Sequence, residues 1–121
     1  MNPAELFRQE TDPLRFAPGD FLFREGDRGE KVYVLLEGEM EILLGDLVLE
    51  NAGPGTLIGE MALIDDSPRT ASAVAKTSCR LAEIDRRRFH FLVQQTPHFA
   101  TRVMKTLADR LRHMNAVAAA Q

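Results

Sequence analysis

The chain has 121 residues, a net charge of −3 and a hydrophobic fraction of 45%, which suits one soluble globular domain that needs no covalent staples. A mildly acidic balance disfavours nonspecific nucleic-acid binding, and a single cysteine, Cys79, excludes an intrachain disulfide, a CxxC redox or zinc motif and an iron–sulfur cluster. No apolar run reaches transmembrane length and the N-terminus lacks a secretory apolar region, so the expected location is the cytoplasm, with no membrane partner.

Residues 2–9, "NPAELFRQ", predict a short helix with Asn2 as cap and Pro3 in the first turn. "FAPGDFLFREGDRGE" then brings two glycine–acid turns, Gly19-Asp20 and Gly26-Asp27, around the apolar "FLF". Residues 32–36 are β-branched and apolar and predict a buried strand. After Gly38, Met40, Ile42 and Leu44 alternate with Glu41 and Leu43, a strand with one face inward. Gly45-Asp46 between two apolar runs predicts a two-residue hairpin, and "NAGPGT" another turn. Such short spacing of strands and turns predicts an antiparallel barrel or jelly roll.

"ASAVAK" and "CRLAEI" predict further strands, although their alternation is imperfect. The period then changes. Asp85 can cap a helix carrying Phe89, Leu92 and Val93, and Thr96-Pro97 opens a second one. The apolar line of that last helix is Phe99, Val103, Leu107, Leu111, Met114 and Ala118. Part of this line can pack on the roll and part can face a second copy, with Arg102, Lys105, Arg110 and Arg112 beside the seam.

The stretch "GEMALIDDSPRTASA", residues 59–73, carries the chemistry. Gly59 permits close backbone approach to a ligand. "EMALID" can form one helical turn, whose first N–H groups lack internal partners. Arg69 can grip two phosphate oxygens with its planar fork, and Pro68 stiffens the approach to it. Glu60 would be repelled by phosphate but can accept from a sugar hydroxyl. The plainer alternative is that Glu60 and Arg69 pair with each other, as lone charges usually do.

This segment resembles the phosphate-binding cassette of the cyclic nucleotide-binding domain family, carried by Gly59-Glu60-Met61-Ala62-Leu63 and then Pro68-Arg69-Thr70-Ala71. Upstream, "PGDFLFREGDRGEKVYVLLEGEMEI" and "AGPGTLIGE" are similar to the family's first β-roll hairpins and its approach to the cassette. The resemblance implies a mainly β fold with flanking helices. It is an antiparallel β-roll, jelly-roll-like (a double-stranded β-helix), over about residues 13–84, with a short N-terminal helix and two C-terminal helices over about 86–118. The organisation of the chain leaves room for one domain over residues 1–121 and none for a helix-turn-helix, so no DNA-binding domain is expected.

By the same resemblance, Arg69 would hold the cyclic phosphate and Glu60 the ribose 2′-hydroxyl. Gly59, Ala62 and Thr70 would add backbone or hydroxyl contacts, with Ala71 completing the motif. Met61 and Val34 would flank the base, and Asn115 on the last helix would meet a purine edge. The family places hydroxyl residues where Met114 and Asn115 stand here, so the base is left open between cAMP, the expected ligand, and cGMP. The expected function is a cyclic nucleotide sensor that signals by movement of its C-terminal helices. It would not be an enzyme and would need no cofactor. Its partners would be a homodimer mate through the last helix and a downstream protein of unknown identity. A nucleotide-free β-roll interaction or dimerisation module is the alternative.

Other candidates carry less. His90, His98 and His113 form no HxH or HExxH pair, so no metal site is expected. Arg86, Arg87 and Arg88 read as a solvated face, and Asp65-Asp66 as an exposed turn.

Overall fold

The described residues contain eight strands, most of which are separated by glycine-containing turns. The structure, a computed structural model, describes residues 7, 10, 12–63 and 67–120. Apart from Phe7, the helix expected at residues 2–9 lies outside them, as does Asp65-Asp66. The strands are β1 (Leu14–Phe16), β2 (Phe21–Phe23), β3 (Val32–Glu37), β4 (Met40–Leu44), β5 (Leu47–Ala52), β6 (Leu57–Ile58), β7 (Ser72–Ala75) and β8 (Cys79–Ile84). They build two four-stranded sheets in the orders β1-β8-β3-β6 and β2-β7-β4-β5, with every pairing antiparallel.

The two glycine–acid turns have the same construction. Gly19 and Gly26 sit at φ +90° and +89°, a region that a Cβ disfavours. The N–H groups of Asp20 and Asp27 donate back to the carbonyls of Ala17 and Arg24 at 3.0 Å. Their carboxylates close the same turns by accepting from the N–H groups of Ala17 and Arg24 at 2.9 Å. Gly45, at φ +60°, opens the two-residue β4–β5 hairpin.

β3 and β8 are buried on both faces, which is why their alternation fails in the sequence. Tyr33, Leu35, Cys79 and Leu81 point into the roll, against Met40, Ala52, Ala73 and Ala75. Val32, Val34, Leu36, Ala82 and Ile84 point the other way, into a second core with Phe7, Phe99 and Val103. Val34 is therefore fully buried in the layer beneath the helices. The expectation that it flanks a base is corrected by this parity: its neighbour Tyr33 is the residue on the roll side.

Two helices cover that second core. Helix α1 (Arg86–Gln95) begins at Asp85, whose Oδ1 accepts from the N–H of Arg88 at 2.8 Å. Helix α2 (Pro97–Ala119) starts on Pro97, but Thr96 gives no side-chain cap. Instead, its N–H closes α1 on the Leu92 carbonyl and its carbonyl accepts from Phe99. The apolar line of α2 divides: Phe99 and Val103 are buried and Leu107 packs against the core, whereas Leu111 and Met114 are exposed. Arg88 also departs from the solvated face expected of it. It pairs with Glu10 at 3.0 Å, donates to the Glu83 carbonyl and lies over the Phe7 ring.

Candidate functional site

Among the described residues two charged side chains are buried, Glu60 at 7% and Arg69 at 8% exposure. A buried charge is costly unless each of its polar atoms is matched. The partners of these two therefore define the site.

β6 delivers Gly59 at φ +81° and then the short 3-10 turn Glu60–Leu63. Arg69 comes from the segment returning to β7, and the second glycine–acid turn clamps its backbone. The Gly26 N–H donates to the Arg69 carbonyl, and the Arg69 N–H to the Asp27 carbonyl, both at 2.8 Å. The guanidinium donates from Nη1 to the Gly59 carbonyl at 3.2 Å and from Nη2 to the Lys31 carbonyl at 2.8 Å. It also lies 4.3 Å from the Phe23 ring centroid, a cation–π distance. The cage fits only because it is lined by glycines. A Cβ on Gly29 would stand 2.4 Å from Nη2, and one on Gly59 2.6 Å from Nη1. Nε of Arg69 is buried without a partner. Burial lowers the Arg69 pKa, opposed by the nearby Tyr33, Asp27 and Glu60.

Glu60 does not pair with Arg69. Its Oε2 pairs with Nη1 of Arg110, which reaches it from α2. Arg110 also sends Nε and Nη2 to the two oxygens of Glu50 on β5, at 2.9 and 3.1 Å, and Nη2 to the Leu57 carbonyl. Burial alone would lower the Arg110 pKa, but the hydrogen bonds and charges of Glu50 and Glu60 carry it above the ordinary guanidinium value. One helix residue thus ties α2 to β5, β6 and the turn. Next to it, His113 Nε2 lies 3.1 Å from the Leu49 carbonyl oxygen.

The fold brings together Gly59, Glu60 and Arg69. Ala62 lies in the same turn as Glu60, and Met61 there is 45% exposed. Thr70 is exposed and Ala71 half-buried, directly after Arg69. Asn115 is exposed on α2, five residues beyond Arg110. The sequence reading assigned Arg110 to a dimer seam, and the ion pairs correct this. It missed Glu50, Gly29 and Phe23. Glu50 is 60 residues from Arg110, and no local pattern links them. For Gly29 the signal was present, as a glycine just before a strand in "GDRGE".

A buried carboxylate and a buried guanidinium, each on its own partners, thus stand at one glycine-lined loop of a β-roll. A family model described as "Cyclic nucleotide-binding domain" matches residues 13–96, and the chain belongs to this family. It is 29% identical over 112 residues to a CRP-like cAMP-activated global transcriptional regulator of Mycobacterium tuberculosis, covering 88% of this chain and 50% of that protein. It is 39% identical over 71 residues to a cAMP-dependent protein kinase regulatory subunit of Eremothecium gossypii, covering 59% of this chain and 16% of that one. Among solved structures, the catabolite activator protein of Thermus thermophilus superimposes with a TM-score of 0.76 at 31% identity, over 89% of this chain and 53% of that one. The chain spans half, or less, of the length of the curated relatives named here.

Proposed function

We propose that this chain is a regulatory binding unit for a cyclic nucleotide, with cAMP as its ligand ahead of cGMP. Arg69 holds the cyclic phosphate and Glu60 accepts from the ribose 2′-hydroxyl. Gly59, Ala62 and Thr70 supply backbone and hydroxyl contacts, Ala71 completes the cassette, and Met61 and Asn115 lie nearest the base. One observation carries this reading: the two buried charges do not neutralise each other. An anion against Arg69 and a hydroxyl against Glu60 would use both, and the unpartnered Nε of Arg69 is a donor suited to an anionic oxygen. The preference for cAMP is drawn from relatives whose names specify it.

Signalling is proposed as a population shift. Arg110 links the Glu60 carboxylate to α2, so a ligand that repositions Glu60 biases the docking of that helix. The exposed part of α2, with Met104, Leu111 and Met114, is offered to a second copy. The β-roll, about 13–84, and the C-terminal helices, about 86–118, act as one binding unit, and the output passes to a downstream partner protein. Calorimetry with cAMP and cGMP on the purified chain tests this. Saturable binding of cAMP is the expected result. Neither heat nor a thermal shift with either nucleotide at millimolar concentration overturns the reading in favour of a nucleotide-free interaction module.

A further inference from the structure

Arg110 is shared between two carboxylates, and the sharing is unequal. One two-donor edge of the guanidinium, Nε and Nη2, is taken by Glu50 in a bidentate fork at 2.9 and 3.1 Å, and at the other edge Nη2 is also held by the Leu57 carbonyl. Glu60 receives only the Nη1 end, on Oε2. A guanidinium fork matches a carboxylate best edge to edge. Without Glu50, the Nε–Nη2 edge would be available to turn onto Glu60 and engage both of its oxygens.

We propose that Glu50 is a positioning residue for the site: by occupying the Nε–Nη2 edge of Arg110, and together with the Leu57 carbonyl on Nη2, it limits that arginine to one oxygen of Glu60 and keeps Oε1 for the ligand's hydroxyl. This rests on the proposed function, in which Glu60 accepts from the ribose. The placement of Glu50 suits the role. It lies on the edge strand β5, with its side chain 28% exposed, and the Arg110 side chain facing it is 22% exposed. Neighbouring contacts fix the register between strand and helix, through His113 against the Leu49 carbonyl and Arg110 on the Leu57 carbonyl. Turning the guanidinium onto both oxygens of Glu60 would break the fork to Glu50 and the Nη2 bond to the Leu57 carbonyl, so Glu50 opposes that rotation.

The test compares cAMP with 2′-deoxy-cAMP by calorimetry on the wild type, Glu50→Gln and Glu50→Ala. A hydrogen bond to a charged acceptor corresponds to a preference of roughly 10-fold or more for cAMP in the wild type. Glu50→Ala is expected to reduce that ratio to about threefold or less while leaving 2′-deoxy-cAMP affinity within about threefold of the wild type, because only the hydroxyl contact is lost. Glu50→Gln, isosteric and still an acceptor, should fall between the two. The ratio is taken within each protein, so a loss of folded material scales both ligands alike, and Glu50→Gln decides if Glu50→Ala does not fold. A purely structural role would weaken both nucleotides equally. An unchanged ratio in the variants, with the wild type discriminating, overturns this inference alone. A wild type that binds neither nucleotide overturns the function beneath it as well.

Discussion

Glu60 and Arg69, nine residues apart and both buried, face the same loop without touching each other. Glu60 is bound from outside the cassette by Arg110, and Arg69 is held by the carbonyls of Gly59 and Lys31. A direct pair would have been a complete unit with no call on a ligand. Separate anchoring leaves a positive and a negative group on separate partners, which suits an anion joined to a free hydroxyl.

Removing the positive end should remove binding. Arg69→Ala takes away a desolvated fork and is expected to cost about 2–5 kcal/mol of nucleotide affinity. Arg69→Lys keeps the charge but not the planar geometry and should recover only part of it. Calorimetry with cAMP measures both variants. An unchanged dissociation constant for Arg69→Ala would place the phosphate elsewhere.

The glycines around Arg69 separate binding from stability. Gly29 is not in the left-handed region, so Gly29→Ala adds no backbone strain, but its Cβ would displace the guanidinium from 2.4 Å. The tip of a long side chain moves cheaply, so melting should shift by only a few degrees, on the order of 1 kcal/mol, while affinity falls about tenfold. Gly59→Ala meets the same guanidinium and also strains a φ of +81°, so it should lose both stability and binding. Gly19→Ala is the control, with φ +90° and nothing within 4 Å of the new Cβ. It should lose stability alone. Thermal melts paired with nucleotide titration distinguish the three.

These features differ in how far they were legible beforehand. Turns are local, so Gly19-Asp20, Gly26-Asp27, Gly45-Asp46 and the Asp85 cap could be read from a few adjacent residues. The roll followed from them, because turns at that spacing leave room only for short antiparallel strands. Parity was not legible in residues 32–36, where every residue is apolar or aromatic. Burial on both faces erased the signal that would have assigned Tyr33 to the roll and Val34 to the helix layer. Arg110 was the larger miss. A cation on a helix has the same local pattern whether it flanks a dimer seam or spans the fold to Glu50 and Glu60, and only the tertiary path decides.

Cys79 gives a pH prediction whose sign is fixed by its burial. The thiol is 4% exposed and lies 3.2 Å from the Glu39 carbonyl. Burial pushes its pKa above the ordinary value of 9.0, against the hydrogen bonds to Glu39 and Thr77. The folded state therefore keeps a proton that the unfolded chain loses. Stability is fully present below about pH 9 and declines as pH rises from there through the folded-state pKa, with a slope of at most about 1.4 kcal/mol per pH unit. Tyr33, whose pKa is also raised by burial, acts in the same direction from about pH 10. Urea midpoints at pH 8 and pH 10 should differ more in the wild type than in Cys79→Ala. Equal differences would mean that the thiol ionises alike in both states.

The exposed half of α2 is expected to set the oligomeric state. Met104, Leu111 and Met114 are 61, 61 and 58% exposed, and they recur at the a and d spacing of a heptad. Val117, at 38%, extends the line. The flanking Lys105–Asp109 and Arg112–Asp109 pairs lie within the helix itself and add little at a solvated rim. Burying these apolar side chains on two copies is worth on the order of 10 kcal/mol, against an association cost of about 4–15 kcal/mol. At the low end of that cost the surplus is about 6 kcal/mol, so a weak, concentration-dependent dimer is expected, with a dissociation constant of roughly tens of micromolar or higher. Leu111→Asp should convert it to monomer in sedimentation without lowering the melting temperature, since Leu111 supports no core. Leu107→Asp is the informative contrast: Leu107 packs against the helix–roll core, so its loss should destabilise the monomer itself. A wild type that sediments as a monomer at high micromolar concentration, with and without nucleotide, would leave the stripe without a second copy as its partner.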